Sequence, residues 1–210
     1  VLNIDRVLWA MAVNTVVSNL DTYNGYYVHN YYLYQDVEGR FQMIPWDFDN
    51  SFVGAIMGWS YWSPNDVYHF DPFFTGNGAS WDNRPLVQYL YSQPLYRQLY
   101  LAHIRTLMEE SMEVQEIAEE ISAFQTLAND AAQSDSNALF PFTYFNTNVF
   151  SAFWSDWGFG GIISTIEERM NFLSSHPEVS DAGPVMGSVA VENGTVQVPT
   201  IDATGLELMW

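Results

Sequence analysis

Two aromatic-rich segments, residues 27–35 and 40–46, constrain the fold of this chain more than any other feature. The turn sequence Asp-Val-Glu-Gly at residues 36–39 joins them. Aromatic and β-branched residues favour strands, and a short polar connection favours a chain reversal, so the pattern predicts an antiparallel β-hairpin. Strand pairing should end at Pro45, which has no backbone N–H to donate. Because both segments are apolar, we expect the hairpin to be buried near the centre of the fold.

Two carboxylates, Asp47 and Asp49, follow directly after the second predicted strand. Carboxylates two residues apart can share one hard cation such as Mg²⁺, Mn²⁺ or Ca²⁺. An EF-hand is excluded, because Phe52 stands where its loop needs Gly and Gly58 where it needs a bidentate Glu. Two alternatives stay open at this point: a solvated turn with no metal, and a nucleotide-sugar transferase with an Asp-x-Asp metal site.

Three polar residues before the hairpin are further candidates for chemistry. Asp21 follows the first predicted helix, and His29 and Asn30 precede the first strand. If the turn at residues 21–25 folds Asp21 toward the end of the hairpin, a base and a metal site would face one another. Asp21 could equally be a helix-ending residue, His29 a packed hairpin residue, and Asn30 either a metal ligand or a backbone hydrogen-bonder.

Most of the remaining chain has helical periodicity. The predicted helices cover residues 4–20, 85–112 (divided at Pro94), 114–132, part of 140–157, and 162–175. Residues 50–84 predict a long irregular segment. Short alternating segments at 189–191, 196–198 and 206–208 predict strands. The fold class is therefore α+β and mostly helical, with one central hairpin. We predict a domain over residues 1–176 and a linker with a short β-rich extension over 177–210.

Charge and composition exclude several classes of function. The formal net charge is −19, with 6 arginines and no lysine, and such a surface repels nucleic-acid phosphates and anionic lipids. The sequence contains no run of about 18 apolar residues, so we predict no insertion into a membrane. Without cysteine, disulfides, zinc–thiolate sites and a cysteine nucleophile are excluded. Ser155 and His176 lack a Gly-x-Ser-x-Gly context, which disfavours a serine hydrolase.

Several of these segments together resemble the spore-coat protein H (CotH) family. The similarity covers about residues 1–176, and the hairpin motif is its most specific part. The matching segments are Asn19-Leu20-Asp21, residues 29–34 (His-Asn-Tyr-Tyr-Leu-Tyr), residues 44–49 (Ile-Pro-Trp-Asp-Phe-Asp) with Phe52, Arg84-Pro85-Leu86-Val87, Tyr96-Arg97, and residues 166–169 (Ile-Glu-Glu-Arg).

The resemblance implies an atypical, secreted or cell-surface protein kinase with a divergent kinase fold. Its reaction would be phosphoryl transfer from ATP to Ser or Thr of a protein acceptor, such as a surface or coat protein. Asp21 would correspond to the catalytic aspartate that orients the acceptor hydroxyl. Asp47 would hold Mg²⁺ or Mn²⁺ against the phosphates, with Asn30 as the second metal ligand and Asp49 as a neighbouring one.

The chain departs from ordinary kinases in the part that grips the nucleotide. It has no lysine and no plausible Gly-rich loop, both of which kinases place on the phosphates. The resemblance therefore implies that this chain is the C-terminal lobe, that the N-terminal lobe lies upstream, and that the isolated chain is inactive. The alternative is a non-catalytic surface, coat-assembly or adhesion module on a kinase-like scaffold.

Overall fold

The computed structural model describes residues 1–25, 28–52, 68–74, 84–154, 158–181, 190–192 and 195–197; at 153, 154, 158, 190–192 and 195–197 it describes the backbone only. This part of the chain is mostly helical, as predicted, with an antiparallel hairpin. In chain order the elements are α1 (Ile4–Val16), β1 (Tyr31–Gln35), β2 (Phe41–Pro45), α2 (Pro85–Ser92), α3 (Pro94–Ser111), α4 (Val114–Ser134), α5 (Phe142–Thr147), β3 (Phe153–Trp154), β4 (Gly158–Phe159), α6 (Ile162–Ser175), α7 (Pro177–Ser180), β5 (Ala190–Glu192) and β6 (Thr195–Gln197).

Helix α1 is the central buried element. Asn3 caps its first turn, with its side-chain oxygen accepting the Arg6 backbone N–H at 3.3 Å. The helix packs mainly on α3, and most of its residues are buried. The core around it contains buried side chains from five helices, including Val7, Leu8, Met11, Leu90, Tyr100, Ile104, Leu173 and Val179.

The predicted end of α1 at residue 20 is wrong, because the helix ends at Val16. Ser18 has a left-handed backbone, with φ of 57°, which an α-helix does not allow. The Asn19 backbone N–H bonds to the Asn14 carbonyl at 2.9 Å, five residues back, and the Asn19 side chain also bonds to Asn14. Side-chain amides that compete for hydrogen bonds thus end the helix before its apolar pattern ends.

The β-hairpin is confirmed, although its first strand begins at Tyr31 and not at the predicted residue 27. Its pairs run from Tyr31 opposite Pro45 to Gln35 opposite Phe41, so pairing ends at the proline. The turn is closed by Asp36, whose Oδ1 accepts the backbone N–H groups of Glu38 at 3.0 Å and Arg40 at 2.9 Å. These bonds lower the pKa of Asp36, and the Arg40 backbone N–H has the largest effect.

The expectation of a buried hairpin is wrong. Met43 is the one fully buried residue of the two strands, whereas Tyr32, Leu33 and Tyr34 are each more than half exposed. Met43 reaches the core around α1, and the backbone at Leu2 pairs with the outer edge of β2 at Phe41. In the part of the chain that the structure describes, no second layer covers the outer face of this hairpin.

Other elements follow the predictions closely. Pro94 divides α2 from α3, and α6 has its predicted limits. Among the described residues of the aromatic segment 140–157, α5 is helical and β3 pairs with β4, which follows the segment. Helical turn α7 lies within the predicted linker, and β5 pairs with β6 beyond it. The domain boundary at 176/177 stays a prediction, and the strand expected at 206–208 and most of segment 50–84 lie outside the described residues.

Candidate functional site

Asp21 lies in the turn that follows α1 and is 8% exposed. Two asparagines set the backbone at this position. Asn14 bonds to the Ala10 carbonyl at 2.9 Å and accepts from the Asn19 side chain at 2.9 Å, and Asn19 Oδ1 then accepts the Asp21 backbone N–H at 3.1 Å. This chain of amides fixes Asp21 to the most buried helix of the molecule.

Three side chains approach the Asp21 carboxylate. Oδ2 accepts from the Asn30 amide at 3.1 Å and from the Asn50 amide at 2.9 Å. Oδ1 is buried and lies 2.7 Å from His29 Nε2, an ion-pair contact that lacks hydrogen-bond geometry. The half-exposed His29 ring therefore covers Oδ1 without filling its acceptor positions. The turn thus brings Asp21 to the open end of the hairpin, where it contacts both the segment before β1 and the segment after β2.

Asp47 and Asp49 complete a cluster of three carboxylates with Asp21. Burial raises the pKa of Asp49, and the charge and hydrogen bond of Asp47 and the charge of Asp21 raise it further. The backbone N–H of Asn50 partly offsets this by bonding to Asp49. The charges of Asp47 and Asp21 therefore act on Asp49, which is an arrangement that a cation would relieve.

Left-handed backbone is concentrated in the loops that form this cluster. In the described ranges, the non-glycine residues with positive φ are Ser18 (57°), Asn30 (57°), Asp47 (55°) and Phe52 (60°). A hydrogen bond of 2.9 Å from the Phe52 N–H to the Val17 carbonyl joins the two loops. Non-glycine residues in this conformation each cost about 1 kcal/mol or more and tend to occur at functional sites.

The residues present fit a hard divalent cation. Asp47 and Asp49 are adjacent carboxylates, and Asn30 directs its Nδ2 to Asp21, which leaves its Oδ1 as a carbonyl-type oxygen. Asn30 Oδ1 also lies 2.9 Å from His29 Nδ1, and an amide oxygen has a second acceptor position. Within the described ranges, no group of three His, Asp or Glu residues is arranged to hold a metal alone. Amide, water or phosphate oxygens would have to complete such a site.

A fully buried arginine holds the last turn of α1, which precedes Asp21. Arg169 on α6 donates from Nε to the Thr15 carbonyl at 3.1 Å and from Nη1 to the carbonyls of Tyr68 and Phe70 at 2.8 and 2.7 Å. Its guanidinium lies 3.7 Å from the centre of the Phe70 ring. Burial lowers its pKa to about 9, so the side chain stays cationic at neutral pH. Arg169 thereby joins α6 to the end of α1.

This geometry can be compared with known protein families. The family model described as CotH kinase protein matches residues 1–156, which include Asp21, Asn30, Asp47 and Asp49. The chain belongs to the CotH kinase family. No curated protein matches this CotH-family chain. In the described part of the chain, no helix has the length and apolarity that crossing a membrane requires.

The CotH motif includes most, but not all, of the residues that meet at the site. Asp21, Asn30, Asp47 and Asp49 were candidates from the sequence, and the structure brings them together. Sequence reasoning missed Asn14 and Asn50 and gave no role to Asn19, although Asn19 lies in a matching segment; all three position Asp21 through side-chain amides. The one available signal for Asn50 was its place directly after Asp49.

Proposed function

We propose that this CotH-family chain supplies the catalytic side of a metal-dependent phosphoryl transfer from ATP to Ser or Thr hydroxyls of a protein acceptor. The observation that carries the proposal is the approach of Asp21, in the buried turn after α1, to the Asp47–Asp49 pair at the end of the hairpin. Phosphoryl transfer needs positioning and charge neutralisation more than covalent chemistry from the protein. Family membership supports kinase-type chemistry.

In this proposal each residue has a distinct task. Asp21 orients the acceptor hydroxyl and accepts its proton at Oδ1. The half-exposed His29 ring lies 2.7 Å from this oxygen and would have to move for the hydroxyl to reach it. Asp47 and Asn30 would hold Mg²⁺ or Mn²⁺, and Asp49 would add a neighbouring carboxylate. Such a cation would supply charge neutralisation at the phosphates. The acceptor oxygen forms its bond to the γ-phosphorus as the bond from phosphorus to the ADP oxygen breaks.

The decisive experiment measures metal-dependent nucleotide binding and transfer. The chain is prepared alone and extended by the sequence upstream of it, because the proposal places the nucleotide-gripping lobe there. We expect the extended protein to bind ATP in calorimetry only with Mg²⁺ or Mn²⁺, and Asp47→Ala to abolish that binding. Asp21→Ala should keep ATP binding but lose transfer to a Ser-containing protein. ATP binding that is the same with and without Asp47 would reject the assignment.

A second candidate is a non-catalytic assembly module at a cell or coat surface. The exposed apolar residues favour it, since Tyr32, Leu33 and Trp46 on the hairpin and Phe124 and Leu127 on α4 are each more than half exposed. Exposed apolar side chains that lie together, as the Tyr32 and Trp46 rings do at 5.4 Å, are typical of interaction sites. Partner binding that survives Asp21→Ala, in a protein that transfers no phosphate, would favour this function over the kinase.

A further inference from the structure

Asn50 lies between the two halves of the candidate site. Its side-chain Nδ2 donates to Asp21 Oδ2 at 2.9 Å, and its backbone N–H favours the charged form of the neighbouring Asp49 carboxylate. Asn50 therefore acts on two carboxylates of like charge. The nearby bond from the Phe52 N–H to the Val17 carbonyl holds the same two loops together.

The orientation of the Asn50 amide follows from what it faces. A carboxylate oxygen accepts hydrogen bonds, so the atom of the amide next to Asp21 must be the nitrogen. Asp21 Oδ2 then receives two amide donors, from Asn30 and Asn50, whereas Oδ1 receives no bond of hydrogen-bonding geometry. Two donors on one oxygen determine the rotation of the carboxylate, and hence the direction in which Oδ1 points.

We propose that Asn50 is a positioning residue for phosphoryl transfer. Its amide fixes the Asp21 carboxylate so that Oδ1 is presented to the acceptor hydroxyl, and its backbone keeps that carboxylate in register with the Asp47–Asp49 pair. Asn50 touches neither the metal nor the phosphates in this role. The inference rests on the proposed function, because the step that it serves is the transfer to the acceptor.

A positioning role predicts that loss of Asn50 lowers kcat but leaves the binding of ATP and Mg²⁺ almost unchanged. In the extended protein, Asn50→Ala should lower kcat by about 10- to 100-fold, because a displaced catalytic group costs this much in rate. KM for ATP and the Mg²⁺ concentration for half-maximal activity should change by less than about 3-fold, because Asp47 and Asn30 remain. The matched control is Asn146→Ala on an exposed position of α5, which should leave kcat unchanged. Wild-type kcat in Asn50→Ala would overturn the inference.

Asn50→Asp keeps the size of the side chain and the backbone N–H but replaces the donor by a carboxylate. This variant replaces Asn50→Ala in the test if Asn50→Ala does not fold, and its kcat should also be lower than that of the wild type. Full activity in this variant would equally overturn the inference. Crystal structures of the wild type and Asn50→Ala give a readout that needs no activity. A rotated Asp21 carboxylate in Asn50→Ala supports the inference, and an unmoved one contradicts it. Failure of wild-type transfer would instead reject the proposed function.

Discussion

At the scale of single residues, the negative charges of Asp47 and Asp21 repel that of Asp49 in the folded protein. The charges of Asp47 and Asp21 both raise the pKa of Asp49 beyond the effect of burial. Because the ionised form of Asp49 is disfavoured by folding, its negative charge reduces stability at neutral pH. This unfavourable energy is the expected cost of a site that is built to attract a cation.

Asp49→Asn should therefore raise the thermal unfolding midpoint at pH 7 in the presence of EDTA. The same variant should show a smaller rise in midpoint on addition of Mg²⁺ than the wild type, because a carboxylate of the cluster is gone. The control is Glu120→Gln on the exposed side of α4, which removes the same charge away from the site. A lower midpoint for Asp49→Asn in EDTA would contradict this account.

The residue scale also shows what sequence reasoning can find. Asp47 and Asp49 could be predicted because two acids after a strand are a recognisable pattern, and Asp21 because it completed the CotH resemblance. Asn50 could not be predicted, because its role depends on how the loop after β2 folds back to Val17. An asparagine in a polar run has many possible partners, and only the fold selects one.

At the scale of elements, a bidentate ion pair joins the short helix α7 to α3. Arg97 donates from Nε and Nη2 to the two carboxylate oxygens of Glu178 at 2.7 and 2.6 Å. Arg105 of α3 also donates to the Val179 carbonyl at 3.3 Å. The segment after α6 thus continues to pack on the helical core.

Glu178→Gln should lower the free energy of unfolding by about 0.2–1 kcal/mol at pH 7, as is usual for partly exposed ion pairs. The hydrogen bond from Arg97 is the main cause of a lowered pKa of Glu178 in the folded protein. The stabilisation is therefore present above the unfolded-state pKa and is lost as pH falls through the lower folded-state value. Urea unfolding should show a larger difference between the two proteins at pH 7 than at about pH 3. Glu110→Gln, exposed on α3, is the control.

The hairpin and α1 show how far elements can be predicted. The turn of the hairpin and the end of strand pairing at Pro45 were predicted correctly, because the turn sequence and the proline are local signals. The burial of the hairpin was predicted wrongly, because apolar residues indicate which surface can be buried but not which element covers it. The end of α1 was missed for a related reason, since Asn14 and Asn19 end it through hydrogen bonds that apolar periodicity does not register.

At the scale of the whole molecule, negative charge acts against compactness. A net charge of −19 on 210 residues produces general repulsion that salt screens. The thermal midpoint should rise between about 0.05 M and 0.5 M NaCl, where the screening length falls to a few ångströms. Sucrose at equal osmolality controls for general solute effects. A midpoint that is independent of NaCl would show that the charges are already compensated in the folded state.

The two halves of the site differ in how firmly the chain holds them. Asp21 follows the most buried helix and is tied to it through Asn14 and Asn19, whereas Asp47 and Asp49 extend from a largely exposed hairpin. Amide hydrogen exchange should therefore be slow through α1, where opening requires global unfolding, and faster in β1 and β2, where local fluctuations suffice. The side that orients the acceptor would then serve as a fixed reference, while the side that holds the cation adjusts its geometry to the phosphates that it meets.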